Sequence, residues 1–178
     1  MTDSVEISNE LEEWASLAGY ALTPASRAHD GRALFWSSGG EIRLFLGSRP
    51  DGWFVITRSE RFGEEQLTFA AARMSTIEKY LFGNFGHSVR SIRGLPVIPV
   101  LKSSEPATNG LSIQPRQFDG AARLALIAPD GSIIALKSGG KLIATSSLAE
   151  LSALLSATIE DIKASFLAPA GSPLFNSD

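Results

Sequence analysis

Four glycine-containing turns, each set between short apolar segments, restrict the fold of this chain more than any other feature. Proline presets one turn dihedral and glycine accepts a positive φ, so triplets of this kind reverse the chain within a few residues. Strands joined by such short connections must pair antiparallel, because a parallel pair needs a long crossover. The turns are Ser38-Gly39-Gly40, Pro50-Asp51-Gly52, Pro129-Asp130-Gly131 and Ser138-Gly139-Gly140.

Strands are predicted on both sides of these turns. In the segment 41–47, Ile42, Leu44 and Leu46 occupy every second position. A period of two indicates a strand that buries one of its faces. The predicted strands form two meanders, with 33–37, 41–47, 53–58 and 66–70 in the first and 122–128, 132–137 and 141–145 in the second.

Helices are predicted where apolar residues recur every three or four positions behind a capping residue. The first helix begins at Ser8 or Asn9 and ends at Gly19. The others begin at capping boxes, in which a Ser or Thr and an acidic residue three positions later satisfy each other's free backbone N–H groups. These boxes are Ser75 with Glu78, Ser147 with Glu150 and Thr158 with Asp161, and the helix that starts at Ser75 is expected to end at Gly86.

The separation of strand runs from helix runs predicts an α+β fold, in which antiparallel β-meanders form one sheet system with helices packed on one face or end. The length fits a single domain, 1–178. The segment 103–117 is expected to be a long surface loop, and the ordered chain is expected to end near Pro169. Residues 1–86 hold a helix, the first meander and a helix, residues 87–120 an irregular proline-rich connection, and residues 121–170 the second meander and the C-terminal helices.

The composition removes most catalytic chemistry. The chain has no Cys and two His, which excludes disulfides, cysteine-based metal sites and thiol nucleophiles and argues strongly against a site with several His ligands. Its 16 Lys and Arg against 19 Asp and Glu give a net charge of -3. A nucleic-acid-binding protein normally carries an excess of basic residues instead. We therefore expect no catalytic residue, no metal and no cofactor.

Three short motifs come near to a catalytic or phosphate-binding pattern, and each departs from it. In Gly86-His87-Ser88-Val89-Arg90, an Arg stands where a nucleophile elbow needs Gly. Gly139-Gly140-Lys141 lacks the first Gly and the hydroxyl of a P-loop. His29-Asp30 has the residue types of a base and its orienting carboxylate, but it is better interpreted as part of a solvated loop.

The N-terminal residues and the longest apolar stretch bear on location. Residues 1–13 contain five acidic and no basic residues, the opposite of a secretory signal. The apolar stretch 95–101 is interrupted by Pro96 and Pro99 and is much shorter than the ~20 residues of a membrane helix. We expect a cytoplasmic protein without a membrane partner.

Arginine and aromatic residues in the segment 43–73 predict an interaction surface, since both are enriched at the centre of protein interfaces. Phe62 lies between Arg61 and Gly63 in a connection where no strand or helix period buries it. An exposed Phe-Gly tip can enter a pocket on a partner, and the alternative is a ring that folds back onto the core. The predicted contact residues are Arg58, Glu60, Arg61, Phe62, Gly63 and Glu64.

Aromatic, glycine and leucine positions across nearly the whole chain carry a family resemblance. They include LEEWASLAGYAL at 11–22, GRALFW at 31–36, DGWF at 51–54, IEKYLFG at 77–83, the leucines of 148–155, ASFL at 164–167 and PLF at 173–175. In these segments the chain resembles the mycobacterial and actinobacterial antitoxins of the tuberculosis necrotizing toxin (TNT) type.

The resemblance implies a cytosolic immunity protein that binds a secreted NAD(P)-hydrolysing toxin domain and obstructs its nucleotide pocket, without catalytic activity of its own. It also implies that a glycine-containing loop enters the cleft of the toxin. The segment 59–64 fits that role, and the turns Ser38-Gly39-Gly40 and Pro50-Asp51-Gly52 compete with it. The implied partner is a cognate toxin domain of the NAD glycohydrolase type, and neither nucleic acid nor a membrane.

A function of another class stays open at this point. The chain could be a non-catalytic small-molecule-binding or chaperone-like accessory domain. Its groove would then lie between the sheet and the last two helices, and the proline-rich segment 103–117 would serve as a lid.

Overall fold

All the strands in the described parts of the chain belong to one antiparallel sheet. The computed structural model describes residues 4–98 and 110–175. The strand order is β1-β2-β3-β4-β5-β8-β7-β6, so each meander stays together and the two meet at β5 and β8. The strands are β1 Tyr20–Thr23, β2 Ala33–Ser37, β3 Ile42–Ser48, β4 Phe54–Glu60, β5 Gln66–Ala71, β6 Ser112–Phe118, β7 Ala121–Ile127 and β8 Ile133–Lys137.

The two Pro-Asp-Gly turns form the hairpins that the sequence predicts. Gly52 and Gly131 have φ values of 88° and 85°, a region that side-chain-bearing residues rarely adopt. In each turn the aspartate side chain accepts the backbone N–H two residues later, at 3.2 Å from Asp51 and 2.9 Å from Asp130. These local contacts explain why the turns could be recognised without tertiary information.

A short antiparallel pairing joins the two meanders. Phe69 lies opposite Lys137 and Ala71 lies opposite Ala135. The α+β prediction, with meanders combined in one sheet system, is confirmed. Four α-helices accompany the sheet in the described residues: α1 Asn9–Leu17, α2 Met74–Ile92, α3 Lys141–Leu155 and α4 Ile159–Leu167.

The larger hydrophobic core lies between the helices and one face of the sheet. Leu11, Ile77, Leu148 and Ile162 bring one buried position from each helix. The strands contribute alternate residues to the same core, as a half-buried sheet requires. Its fully buried aromatic residues are Trp14, Phe35, Phe69, Phe82, Phe85 and Phe166.

A smaller cluster occupies the opposite face of the sheet and contains no helical residue. Half-buried Trp53 and Phe118 close it, with ring centroids 5.1 Å apart. The alternation of Trp53 and Phe54 therefore divides two neighbouring aromatic rings between the two faces, since Phe54 packs against the larger core. The buried members of the smaller cluster are Ala70, Ala125, Ile127 and Leu136.

Two of the predicted helix starts are confirmed. The Ser8 side chain accepts the N–H of Leu11 at the start of α1. The Thr158 side chain accepts the N–H of Asp161 at the start of α4. Both pairings supply one of the acceptors that the first turn of a helix lacks.

The predicted strand at 141–145 is wrong, and so is the capping box at Ser147 and Glu150. Both lie inside α3, which begins at Lys141 behind Gly140. The KLIAT sequence alternates like a strand, but Ala144 and Leu148 are fully buried four positions apart, which is the spacing of one helix face. Tertiary packing therefore overrides the local pattern.

The second helix is longer than predicted at both ends. It begins at Met74 without a side-chain cap, and Glu78 accepts a hydrogen bond from the hydroxyl of Ser8 at 2.6 Å instead of closing a box with Ser75. Gly86 does not end it. A Cβ at position 86 would lie 2.6 Å from two ring carbons of Phe166, so this glycine lets α4 approach α2 closely.

The predicted loop 103–117 is also wrong over its last part. Residues 112–117 belong to β6, an edge strand in which Pro115 is tolerated because an edge leaves one side of the ladder unpaired. Residues 103–109 lie outside the described part of the chain. Strand β1 was not predicted, because its four residues are ordered by their pairing with β2 rather than by a pattern of their own.

The described chain continues past Pro169, where the sequence suggested an end. Phe175 packs its ring against Phe166, with centroids 5.2 Å apart, and the hydroxyl of Ser165 accepts the N–H of Leu174. The apolar and hydroxyl side chains of α4 therefore hold the segment that follows it.

Arg90 is a buried cation on α2 that is surrounded by carbonyl groups. Its guanidinium donates to the carbonyl oxygens of Pro96, Phe166, Ala168 and Pro169 at distances between 2.6 and 3.0 Å. Three of these acceptors belong to the end of α4 and the residues after it. The side chain thereby satisfies carbonyls that a helix C-terminus leaves free.

In the residues that the structure describes, none of the helices has the length and apolar character needed to cross a membrane.

Candidate functional site

The predicted contact segment connects β4 to β5 and forms a tightly held loop. We refer to residues 61–65 as the β4–β5 loop. Arg61 and Phe62 have positive φ values of 47° and 61°, which cost energy for residues with a side chain. The N–H of Arg61 donates to Glu41 and that of Gly63 to Glu60, each at 2.7 Å. The Ser59 hydroxyl donates to Gly63 O, also at 2.7 Å. These bonds hold the loop in one shape.

Phe62 is 74% exposed at the tip of this loop. The guanidinium of Arg43 lies over its ring at 4.8 Å from the centroid, a distance typical of a cation–π contact. Arg43 also donates to the hydroxyl of Ser59 at 3.0 Å. The ring is therefore supported from one side and open on the other. The exposed position is confirmed, and the alternative of a ring folded onto the core is wrong.

The two competing turns lie at opposite ends of β3. The turn at 38–40 is beside the β4–β5 loop, since a Cβ on Gly40 would be 3.9 Å from the Phe62 ring. The Pro-Asp-Gly turn at 50–52 is at the far end, because β3 and β4 pair from Ile42 with Glu60 to Ser48 with Phe54. Only the turn at 38–40 can contribute to one surface with Phe62.

The base of the loop is anchored by a charged network on the same side of the sheet. Arg32 donates two hydrogen bonds to Glu65, at 2.7 and 3.0 Å, and further bonds to Asp30. Thr57 donates to Glu65 at 2.6 Å. The hydrogen bonds from Arg32 hold the pKa of Glu65 and the pKa of Asp30 below their usual values. Asp30 is therefore an ion-pair partner of Arg32.

Sequence reasoning missed this anchor. Arg32 and Glu65 are 33 positions apart and carry no motif, and only the pairing of β2, β3 and β4 brings them together. The guanidinium of Arg32 also lies 4.5 Å from the centroid of the Phe45 ring. An arginine that follows an Asp-Gly pair before a strand gives no sequence signal that separates this role from that of an ordinary surface charge.

The remaining predicted residues lie on the helix-covered side of the loop. Arg58 and Glu60 form an ion pair at 2.5 Å. Together with Gly63 and Glu64 they line a cleft that faces the β8–α3 connection at Ser138 and Gly139. The six predicted contact residues are therefore adjacent in space, but they point to two different sides of one loop.

Arg49 and Trp53, which the sequence grouped with this surface, lie at the other end of the meander. Arg49 pairs with Asp51 at 3.0 Å and with Asp119 at 3.1 Å. Its guanidinium packs over Phe118, the ring that also contacts Trp53. These residues close the smaller cluster and do not join the Phe62 surface.

His87 lies in the middle of α2 rather than at its C-terminus. Its Nε2 is 2.8 Å from Glu150 on α3, and its ring meets the edge of Phe166. Burial alone would lower the pKa of His87, but the hydrogen bond and charge of Glu150 outweigh it and raise that pKa above its usual value. Nothing in the described chain groups three or more His, Cys, Asp or Glu side chains in a way that could hold a metal ion.

The arrangement is a stiff, exposed aromatic tip where β4 and β5 connect, and an exposed apolar group of this kind is typical of protein interaction sites. Residues 14–174 match the model of a family described as Immunity protein 61. The chain belongs to the Immunity protein 61 family, and its role is that of an immunity protein.

Curated relatives and a solved structure agree with this assignment. The chain is 42% identical over 175 residues to the "Immunity factor for TNT" of Mycobacterium tuberculosis, covering 98% of this chain and 96% of the relative. The same figures hold for the "Immunity factor for TNT homolog" of Mycobacterium bovis BCG. The solved structure of Rv3902c from M. tuberculosis is similar, with a TM-score of 0.89, 42% identity and coverage of 98% of this chain and 97% of that chain. The resemblance stated from the sequence is confirmed.

Proposed function

We propose that this chain neutralises an NAD(P)-hydrolysing toxin domain of the TNT type by placing the β4–β5 loop over its nucleotide pocket. The family and the name of the M. tuberculosis relative, an immunity factor for TNT, support a toxin as the partner. The chain acts in this proposal as a single-domain, stoichiometric inhibitor in the cytoplasm, without a cofactor and without turnover of its own.

The exposure of Phe62 is the observation that carries the choice of loop. Burying a phenylalanine side chain is worth about 1.5–3 kcal/mol relative to leaving it in water. Phe62 is 74% exposed, so most of that gain is available to a partner. The backbone bonds around Arg61 and Gly63 fix the tip beforehand, which reduces the entropy lost on binding.

Charged residues flank the aromatic tip in a pattern suited to orientation. Arg61 and Glu64 are exposed on either side of Phe62, and Glu60 pairs with Arg58 behind it. Charges at the rim of an interface mainly set the rate of association and the choice of partner rather than the affinity. We assign orientation of the toxin to these side chains and the main contact to the ring.

The substitution Phe62→Glu tests the loop. Purified TNT domain is titrated with each variant, and both inhibition of NAD hydrolysis and affinity are measured. The charge at the tip should weaken binding by about tenfold or more, because a central aromatic contact becomes a desolvated carboxylate. The melting temperature should not change, since the ring contributes nothing to the core.

Val97→Glu is the matched control. Val97 is 85% exposed and follows α2 beside the end of α4, where Pro96 accepts from Arg90. The substitution Val97→Glu introduces the same charge at an exposed apolar residue and should leave inhibition of the TNT domain unchanged. Equal affinities of the wild-type protein and Phe62→Glu for the TNT domain would move the contact to another part of the surface.

One observation supports the accessory-domain alternative: a cavity of about 400 Å³ lies between α2 and α3. Its proposed lid, 103–117, is reduced by the six residues that belong to β6. Co-expression separates the two functions: growth of a host that produces the TNT domain should be rescued by this chain. An absence of rescue, with both proteins produced, would count against the immunity proposal and favour the alternative.

A further inference from the structure

A groove begins beside the β4–β5 loop and continues along the helix-covered side of the sheet. Its middle part, of about 230 Å³, is lined by Arg58, Thr68, Lys137, Tyr80 and Ile143 among others. Its far part is the cavity between α2 and α3, which Ile143 and Tyr80 also line. We refer to this continuous surface as the helix-side groove.

Two cations meet at the base of the helix-side groove without a shared carboxylate. Arg58 reaches Glu60 through a terminal nitrogen, while its Nε is buried and has no acceptor among the described residues. Lys137 donates to the carbonyl of Thr68 at 3.3 Å. Burial and the nearby charge of Arg58 lower the pKa of Lys137 to about 8, so the ammonium is still mostly charged at neutral pH.

The two residues at the mouth of the groove are apolar and exposed. Leu142 and Ile143 lie in the first turn of α3 and are 69% and 67% exposed. The buried face of that turn is made by Ala144, and Leu148 continues it one turn later. Two adjacent large apolar side chains on the outside of a helix, next to Lys137 and the Arg58–Glu60 ion pair, form a mixed surface that suits an amphipathic ligand.

We propose that the helix-side groove is a second contact for the toxin domain, which takes a polypeptide segment carrying a carboxylate beside an apolar side chain. The carboxylate reaches Arg58 and Lys137, and the apolar side chain packs on Leu142 and Ile143. This inference rests on the proposed immunity function. Two observations support it. The positive charges of Arg58 and Lys137 complement a carboxylate, and the groove is continuous with the β4–β5 loop through a cleft lined by Arg58, Glu60, Gly63 and Glu64.

The local charge favours a single carboxylate over a nucleotide phosphate chain. Arg58 and Lys137 carry two positive charges, and Glu60 neutralises one of them through its ion pair. Glu64 adds a further negative charge at the rim of the cleft. In the middle part of the groove, where no acidic side chain is among the described lining residues, the charge of Lys137 is left to pair with one carboxylate. A polyphosphate would instead bring several negative charges against Glu60 and Glu64.

The area required for neutralisation gives an independent reason for a second contact. Stable protein–protein complexes bury about 1,600 Å² in total, or roughly 20–30 residues on each side. A loop of five residues cannot supply that area. The helix-side groove extends the surface from Gly63 and Glu64 of the loop to Ile143 of α3.

Three variants test the groove by affinity for the TNT domain. Ile143→Glu should weaken binding about tenfold or more, because it places a negative charge where an apolar side chain and a carboxylate approach. Lys137→Gln should weaken it by about three- to tenfold. Lys141→Gln removes the same charge from an exposed lysine at the start of α3 and should change affinity less than about twofold.

The results separate the groove from the loop. If the wild-type protein does not bind the TNT domain, both the proposed function and the proposed groove contact are refuted. If it binds and Phe62→Glu weakens binding while Ile143→Glu and Lys137→Gln do not, the groove is refuted and the loop stands. Titration of the isolated protein with ATP should give no saturable binding, and saturation that Lys137→Gln abolishes would assign the groove to a nucleotide instead.

Discussion

The two faces of the sheet differ in how many apolar residues they bury. The helix-covered face holds the larger core, with six fully buried aromatic rings. The open face holds a small aliphatic cluster at one end and, at the other, the network of Arg32, Arg43 and Glu65 around the β4–β5 loop. Because most of the buried apolar residues are on the helix-covered face, substitutions on the open face should cost less stability.

A paired truncation gives the sharpest test of that division. Phe85→Ala removes a fully buried ring that packs against Tyr20 and Phe35, and should lower the free energy of unfolding by about 4 kcal/mol. Trp53→Ala removes a half-buried ring from the smaller cluster and should cost about 1–2 kcal/mol. Urea unfolding of both variants measures the difference, and similar losses would show that the two faces share stability evenly.

A pH-dependent contact on the helix-covered side gives the next effect. Since the pKa of His87 is raised in the folded state, its stabilisation is complete below the unfolded value near 6.5 and is lost as pH rises through the folded value. Glu150→Gln should therefore lower the melting temperature by about 2 °C at pH 5.5, with little change at pH 8.5. Thermal unfolding at the two pH values checks it, and a pH-independent loss would assign Glu150 a packing role only.

The smallest effect on stability is expected on the open face. Arg32→Gln removes two partly exposed ion pairs, with Asp30 and Glu65, so the free energy of unfolding should fall by about 1 kcal/mol or less. The same change frees Glu65 at the base of the loop and should weaken binding of the TNT domain about threefold. Unfolding and binding assays on one preparation compare the loss of stability with the loss of affinity. A large loss of stability would show that the network contributes substantially to folding.

Elements with local determinants could be predicted from the sequence. The Pro-Asp-Gly hairpins and the caps at Ser8 and Thr158 depend on contacts within a few residues. Elements that depend on distant partners could not. Gly86 resembles a helix end until Phe166 is placed against it, and the KLIAT segment resembles a strand until its buried face is known.

The candidate site divides in the same way. The exposure of Phe62 followed from the lack of any period around it, and the structure bears this out. The groove could not be foreseen, because Arg58 and Lys137 are far apart in sequence and meet only through the pairing of β5 with β8. The Arg32 anchor likewise depends on the pairing of three strands, so no pattern within a single segment of the sequence reveals it.

The carbonyl cage around Arg90 has a consequence for biosynthesis. The carbonyls of Phe166, Ala168 and Pro169 follow this guanidinium by 76, 78 and 79 positions and therefore leave the ribosome later than it does. Before these carbonyls are available, burial of the Arg90 guanidinium is unfavourable, because a buried cation without partners is strongly destabilising. Arg90 can therefore be buried with its partners only after residues 166–169 are made, and we expect chains that stop before Phe166 to be degraded by proteases.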